Sequence, residues 1–216
     1  MYLEVDNNKT YIATGSKEHV DGNPTMSFVH GTGMDHTVWT LASRYFARHG
    51  LNILAVDLPA HGRSGGELKP TIEDMADWVV QALDAAGQES TIMVGHSMGS
   101  LVAFDVAARY PDRVTSLAMV GTSMPMPVGD LLLDNAEKDN HLAKEMINYW
   151  SHSTSAHLGG SQVPGIWMLG KLIRLLERSG PGVIYNDLLA CEKYTEGIER
   201  SKNIQMPTLL ILGEDD

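Results

Sequence analysis

One serine in this chain stands where the sequence could make it a nucleophile. Gly95-His96-Ser97-Met98-Gly99 follows the apolar run TIMV and opens a run with helical spacing, SLVAFDVAARY. A free serine hydroxyl attacks poorly at neutral pH and needs a neighbouring base. A serine on a sharp strand-to-helix turn, flanked by small residues that relieve crowding, forms the nucleophile elbow of acyl-transfer enzymes. The helix that follows would point its dipole and free N–H groups at developing negative charge. A second motif, HGTGMDHTVW, comes after an apolar run at 24–29. His30-Gly31 permits a tight turn there, which makes the backbone N–H groups of Thr32 and Met98 candidates for a two-donor oxyanion hole. Each motif alone has a plainer reading, as a serine capping a helix or a glycine turn without a ligand.

Other chemistries find less support. No Gly-x-Gly-x-x-Gly follows a strand and no His-x-x-x-His or clustered Cys/His pattern occurs, so neither a metal nor an organic cofactor is expected. Asp and Glu number 27 against 16 Lys and Arg, a net charge of −11, and no basic cluster appears. Nucleic-acid binding is therefore not expected. No apolar run approaches the ~20 residues of a membrane span, and the N-terminal MYLEVDNNKTY lacks the pattern of a secretory signal. The single cysteine, Cys191, excludes an internal disulfide and leaves the cytoplasm as the default compartment. The expected partner is a small-molecule substrate.

The elements that must position these residues are legible in outline. Apolar runs at 24–31, 52–59, 91–96, 115–122 and 207–213 read as parallel strands covered on both faces. Two N-terminal segments around Asn-Asn-Lys read as an antiparallel hairpin. The stretch DHTVWTLASRYFARHG predicts one helix with Val38, Leu41, Ala42, Tyr45 and Phe46 on its buried stripe, stopping at Gly50. TIEDMADWVVQALDAAG predicts another, with Thr71 and Asp74 in a capping-box-like spacing. Residues 97–109 predict a third. Such alternation means an α/β fold with a mostly parallel sheet. Between about 124 and 203 the strand pattern gives way to helical spacing, which predicts a helical insertion acting as a lid or enlarging the core.

The segments VHGTG…W, AVDLPAHGRS, VGHSMGSLVA, ARYPDRV and PTLLILGEDD, in this order and spacing, resemble the α/β-hydrolase fold family over essentially the whole chain. The resemblance is nearest to esterase-like members with a helical cap after strand six. It implies a hydrolase core at 1–123 and 204–216 and a cap at 124–203. It also implies a triad in the order nucleophile, acid, histidine. Ser97 is then the nucleophile and Asp216, three residues after Gly213, the acid, with Asp215 the alternative. The histidine belongs after an eighth strand, so the resemblance implies a chain truncated before its last strand and helix. Among the nine histidines present, His96 is expected to pack under the turn and His30 and His61 to shape loops. His19, His36 and His49 are expected near surface turns or helix ends, and His141, His152 and His157 in the cap. Ala60 replaces a glycine common in relatives, a change expected to matter little because alanine is compact.

The implied activity is that of a serine hydrolase acting on a small carboxylic ester through an acyl-enzyme on Ser97. Lactone, amide and carbon–carbon hydrolysis use the same constellation and stay open. So does a catalytically incomplete or binding-only chain. Met124, Met126, Met146, Trp150, Trp167 and Met168 are expected to line an apolar pocket or to form plain core.

Overall fold

A computed structural model describes residues 1–160 and 165–214. It begins with a hairpin in which β1 (Tyr2–Val5) pairs antiparallel with β2 (Asn8–Ala13). The turn is Asp6-Asn7, one residue ahead of the Asn-Asn-Lys reading. Both residues take positive φ, 50° and 57°, as two-residue hairpin turns require and as Asp and Asn tolerate. The apolar runs form β3 (Thr25–Val29), β4 (Asn52–Val56), β5 (Thr91–His96), β6 (Val114–Val120) and β7 (Thr208–Ile211). They join the hairpin in one seven-stranded sheet of order β1-β2-β4-β3-β5-β6-β7. The β1–β2 and β2–β4 pairs are antiparallel and the others parallel. Every residue of β3 and β4 is buried, which accounts for their unbroken apolar character.

Helices α1 (Thr40–Arg48), α2 (Ile72–Ala85) and α3 (Met98–Arg109) follow β3, β4 and β5. On one face of the sheet α2 and α3 build the main core, with Met75, Trp78, Leu83, Met98, Leu101 and Val106 packed against Val29, Leu54 and Met93. On the other, Phe28, Ile53 and Val94 pack with Ala47 of α1. Thr71 caps α2, its side chain accepting from the Asp74 N–H at 3.0 Å. The stripe expected for α1 is only half right. Ala42 and Phe46 face the sheet, but Leu41 and Tyr45 are 64% and 57% exposed.

Between β6 and β7 lie α4 (Asp130–Glu137), α5 (His141–Trp150), α6 (Thr154–His157), α7 (Met168–Leu176), α8 (Val183–Lys193) and α9 (Gly197–Arg200). These helices hold a cluster of their own, formed by Leu132, Ala136, Ala143, Met146, Leu176, Ile184 and Leu188. Helix α8 belongs to two clusters at once. Ile184 and Leu188 sit in the insertion's cluster, whereas Ala190 and Cys191 sit in the main core. Among the described residues, no helix is long and apolar enough to cross a membrane.

Candidate active site

Strand β5 passes into α3 through Ser97 alone. This residue has φ 51° and ψ −125°, a conformation costly for any residue with a side chain. The surroundings enforce it. The Ser97 N–H donates to the Val120 carbonyl at 2.9 Å, and Ser100 Oγ donates to the Ser97 carbonyl at 2.5 Å. The flanking glycines are fixed by backbone approach. A Cβ on Gly95 would stand 2.0 Å from the Gly99 carbonyl oxygen, and one on Gly99 would stand 2.4 Å from those of Val29 and His30. No side chain fits either gap. Ser97 makes no capping bond to α3, so the plain helix-cap reading does not describe it.

The same crowding brings the loop after β3 against the elbow. A Cβ on Gly31 would lie 3.2 Å from the Ser97 Cβ and 3.1 Å from His96 Nδ1. Thr32 and Met98, both buried, thus lie one residue beyond two backbones in contact. Neither N–H has an acceptor among the described residues. Strand β7 ends at the same sheet edge, with Ile211 beside Val120 and its carbonyl accepting from the Gly121 N–H at 2.8 Å. Asp215 and Asp216 lie outside the described residues.

The histidines are distributed much as their loops demand. His30 Nδ1 donates to the Gly31 carbonyl while Nε2 accepts from the Leu58 N–H, at 3.0 and 3.1 Å. His61 Nδ1 donates to the Pro59 carbonyl and Nε2 to Asp187 Oδ2, both at 2.9 Å. His36 Nδ1 donates to Asp57, and His49, His152 and His157 bond main-chain carbonyls. His141 pairs with Glu145 and Glu177, and His19 with Asp21. The His96 ring lies edge-on to Trp39, 6.4 Å between centroids. No described hydrogen bond sets an imidazole on the Ser97 hydroxyl.

Burial and its partners divide the two central histidines. Complete burial, with the His61 charge nearby, pushes the His30 pKa down to about 4. Burial also acts to lower that of His61, but the Asp187 charge and hydrogen bond and the Pro59 carbonyl outweigh it and leave it raised. Both His61 nitrogens face acceptors, which fits an imidazolium paired with a buried carboxylate. Sequence reasoning missed Asp187. Its only signal was an acidic residue on the face of α8 shared by Ile184 and Cys191.

Asp57 governs the neighbouring loop. Burial acts to raise its pKa, but hydrogen bonds from His36 and the Arg63 N–H hold it below the ordinary carboxylate value. Asp35, His36 and Asp57 bring ligand-type atoms within 4.8 Å of one another, yet those atoms are already committed. Asp57 Oδ1 accepts from His36 N and Nδ1, and Oδ2 from Arg63 N. Asp35 holds Thr37 and Arg178. This donor set is one of loop anchors, poorly suited to a metal. In the same loop Ala60 has φ 62°. The cost of lacking glycine there is backbone conformation, not bulk, which corrects the expectation from compactness.

A cavity of about 310 Å³ opens between the loop after β3 and the insertion, lined by Met34, Val38, His96, Met168, Leu172 and Leu175, with Ser151, His152 and Lys171 its polar lining. Of the six aromatic and methionine residues expected to line a pocket or to form plain core, Met168 alone lines this cavity. Trp150 and Trp167 are 61% and 75% exposed, and Met146 is insertion core. Met124 and Met126 pack on the main core.

Comparison with known proteins agrees with this fold. A family model described as alpha/beta hydrolase fold matches residues 24–163. The chain is 24% identical over 222 aligned residues to (E)-2-((N-methylformamido)methylene)succinate hydrolase of Acinetobacter baylyi, covering 99% of this chain and 79% of that protein. It is 34% identical over 103 residues to a pimeloyl-[acyl-carrier protein] methyl ester esterase of Klebsiella pneumoniae, covering 48% of this chain and 38% of the esterase. The crystal structure of an enol-lactonase from Burkholderia xenovorans superposes with a TM-score of 0.82 at 18% identity, covering 99% of this chain and 81% of the lactonase.

Proposed function

The chain belongs to the alpha/beta-hydrolase fold family, and on that premise we propose that it is a serine hydrolase cleaving small carboxylic esters or lactones through an acyl-enzyme on Ser97. The observation that carries the reading is the elbow. A serine is held in a strained conformation against Gly31, and among the described residues neither its hydroxyl nor the two nearby N–H donors has a hydrogen-bond partner.

In this mechanism Ser97 Oγ attacks the substrate carbonyl carbon and its proton passes to an imidazole base. The carbonyl oxygen gains negative charge and accepts hydrogen bonds from the Thr32 and Met98 N–H groups. Loss of one such donor typically costs ~10²–10³ in rate. Collapse of the tetrahedral intermediate expels the alkoxide, which takes the proton from the imidazolium. Water then attacks the acyl-enzyme by the same route in reverse. Asp216 is the proposed acid that orients the imidazole. The base is assigned to none of the histidines described above, and the matched relatives extend beyond the stretch this chain covers. The cavity walled by Met34, Met168, Leu172 and Leu175 takes the apolar part of the substrate. This chemistry needs no metal or organic cofactor. One buried, unpaired cysteine suits a reducing compartment such as the cytoplasm.

An alkyl fluorophosphonate tests the reading, because it traps only an activated serine. Labelling at Ser97 well above the rate of a free serine, abolished by Ser97→Ala, supports the reading and means that an imidazole base reaches the serine in solution. A correctly folded chain that labels no faster than free serine would instead favour a binding-only relative.

A further inference from the structure

Helix α8 grips the loop that carries Thr32, and its grip is one-sided. Ile184, Asp187 and Cys191, at i, i+3 and i+7, lie along one face of the helix. Ile184 Cγ1 fills the space of a Gly33 side chain, 2.7 Å from where its Cβ would be. Asp187, fully buried, accepts from the Gly33 N–H at 2.9 Å through Oδ2. Cys191, also buried, continues the same face. Two successive N–H groups of the loop are thereby sorted. That of Gly33 is committed to α8, and that of Thr32 has no acceptor among the described residues. Glycines on both sides of Thr32 would otherwise leave its peptide planes free to rotate.

We propose that Asp187 is the positioning residue of the oxyanion loop: by holding the Gly33 N–H and His61, it fixes the Thr32–Gly33 peptide plane and so restrains, across Thr32, the preceding plane whose N–H serves the Ser97 acyl centre. The proposal rests on the serine-hydrolase reading. The His61 imidazolium answers the carboxylate's charge from the loop after β4, so the pair adds little net negative field beside a developing oxyanion. Both hydrogen bonds fall on one carboxylate oxygen. An asparagine amide oxygen in that place can therefore keep both, whereas alanine keeps neither.

The test compares Asp187→Ala with Asp187→Asn in Ser97-dependent hydrolysis of p-nitrophenyl acetate, with amide hydrogen exchange and Tm measured alongside. A misplaced catalytic group costs about 10²-fold, so Asp187→Ala is expected to lower kcat by about that factor with KM little changed. Asp187→Asn is expected to retain kcat within about tenfold of wild type. An alanine variant that folds and keeps wild-type kcat overturns the proposal. So does equal loss in both variants in step with Tm. If the unsubstituted chain shows no Ser97-dependent turnover, the acyl-enzyme reading falls, and exchange decides the clamp separately. Gly33 N–H protection lost in Asp187→Ala and kept in Asp187→Asn upholds the grip, and protection unchanged in Asp187→Ala ends it.

Discussion

His30 and His61 have ring centroids 4.9 Å apart, and their pKa values move in opposite directions, because burial dominates at His30 whereas the Asp187 carboxylate outweighs it at His61. The contrast sets the pH dependence of stability. His30, neutral when folded, has a pKa near 4 against an ordinary histidine value of 6.5. The unfolded chain therefore binds the extra proton first, and stability falls as pH drops from about 6.5 toward 4, by about 3 kcal/mol at most. The raised pKa of His61 acts the other way. Its contribution is complete below about 6.5 and is lost as pH rises through the folded value. Urea midpoints across this range should fall on both sides, and His30→Gln should flatten the acid limb alone. Backbone strain gives a second expectation. Ala60, with φ 62°, carries about 1–2 kcal/mol of left-handed cost, partly offset by the smaller entropy of its unfolded state. Ala60→Gly should raise stability by about 0.5–1 kcal/mol in the same assay. The elbow was legible because its chemistry is local, a five-residue pattern between a strand and a helix. Asp187 was not, because it meets Gly33 across 154 positions of sequence and only the packed fold brings them together.

The short apolar runs announced the parallel strands; in β3 and β4 residues buried on both faces leave no alternation to confuse the reading, whereas β7, expected to be covered on both faces, is exposed along its length. The stripe on α1 failed for a geometric reason. His36–Trp39 form a 3₁₀ turn before the α-helix begins at Thr40. At 120° rather than 100° per residue, four such residues advance the phase by ~80°. A stripe drawn through both segments therefore exposes Leu41 and Tyr45. A second element is held by charge that no periodicity could reveal. Asp105, buried on α3, accepts from Arg109 Nε at 2.6 Å and Tyr194 OH at 2.8 Å, and also pairs with Arg200. This anchors the end of α8 and α9 to the core. Arg109 and Arg200 keep Asp77 and Glu73 as partners, and both are partly solvated. Asp105→Ala should therefore cost about 2–3 kcal/mol, less than the ~3–5 kcal/mol for breaking a fully buried pair. Tyr194→Phe, losing one hydrogen bond to a charged acceptor, should cost about 1–2 kcal/mol. Both are measurable by chemical denaturation.

The sheet as a whole is protected unevenly. A short antiparallel hairpin, β1 and β2, forms one edge, and β7 at the other is exposed along its entire length. Leu209 and Ile211 border an apolar groove of about 590 Å³ on the sheet face beside α1, together with Phe28, Trp39, Phe46 and Val94. Leu210 is as exposed as its neighbours, so β7 offers apolar side chains along with an edge that no other described strand pairs. Such an edge is a template for strand pairing between molecules. The net charge of −11 opposes association at long range but is screened beyond about 10 Å at 0.1 M salt. The 216-residue polypeptide should therefore self-associate, and more so as salt rises. Light scattering after gel filtration should find the monomer fraction falling between low and moderate ionic strength. Leu210→Lys, a charge set on the edge itself, should restore it. A monomer indifferent to salt and to that substitution would mean that the edge is blunted by something other than its sequence.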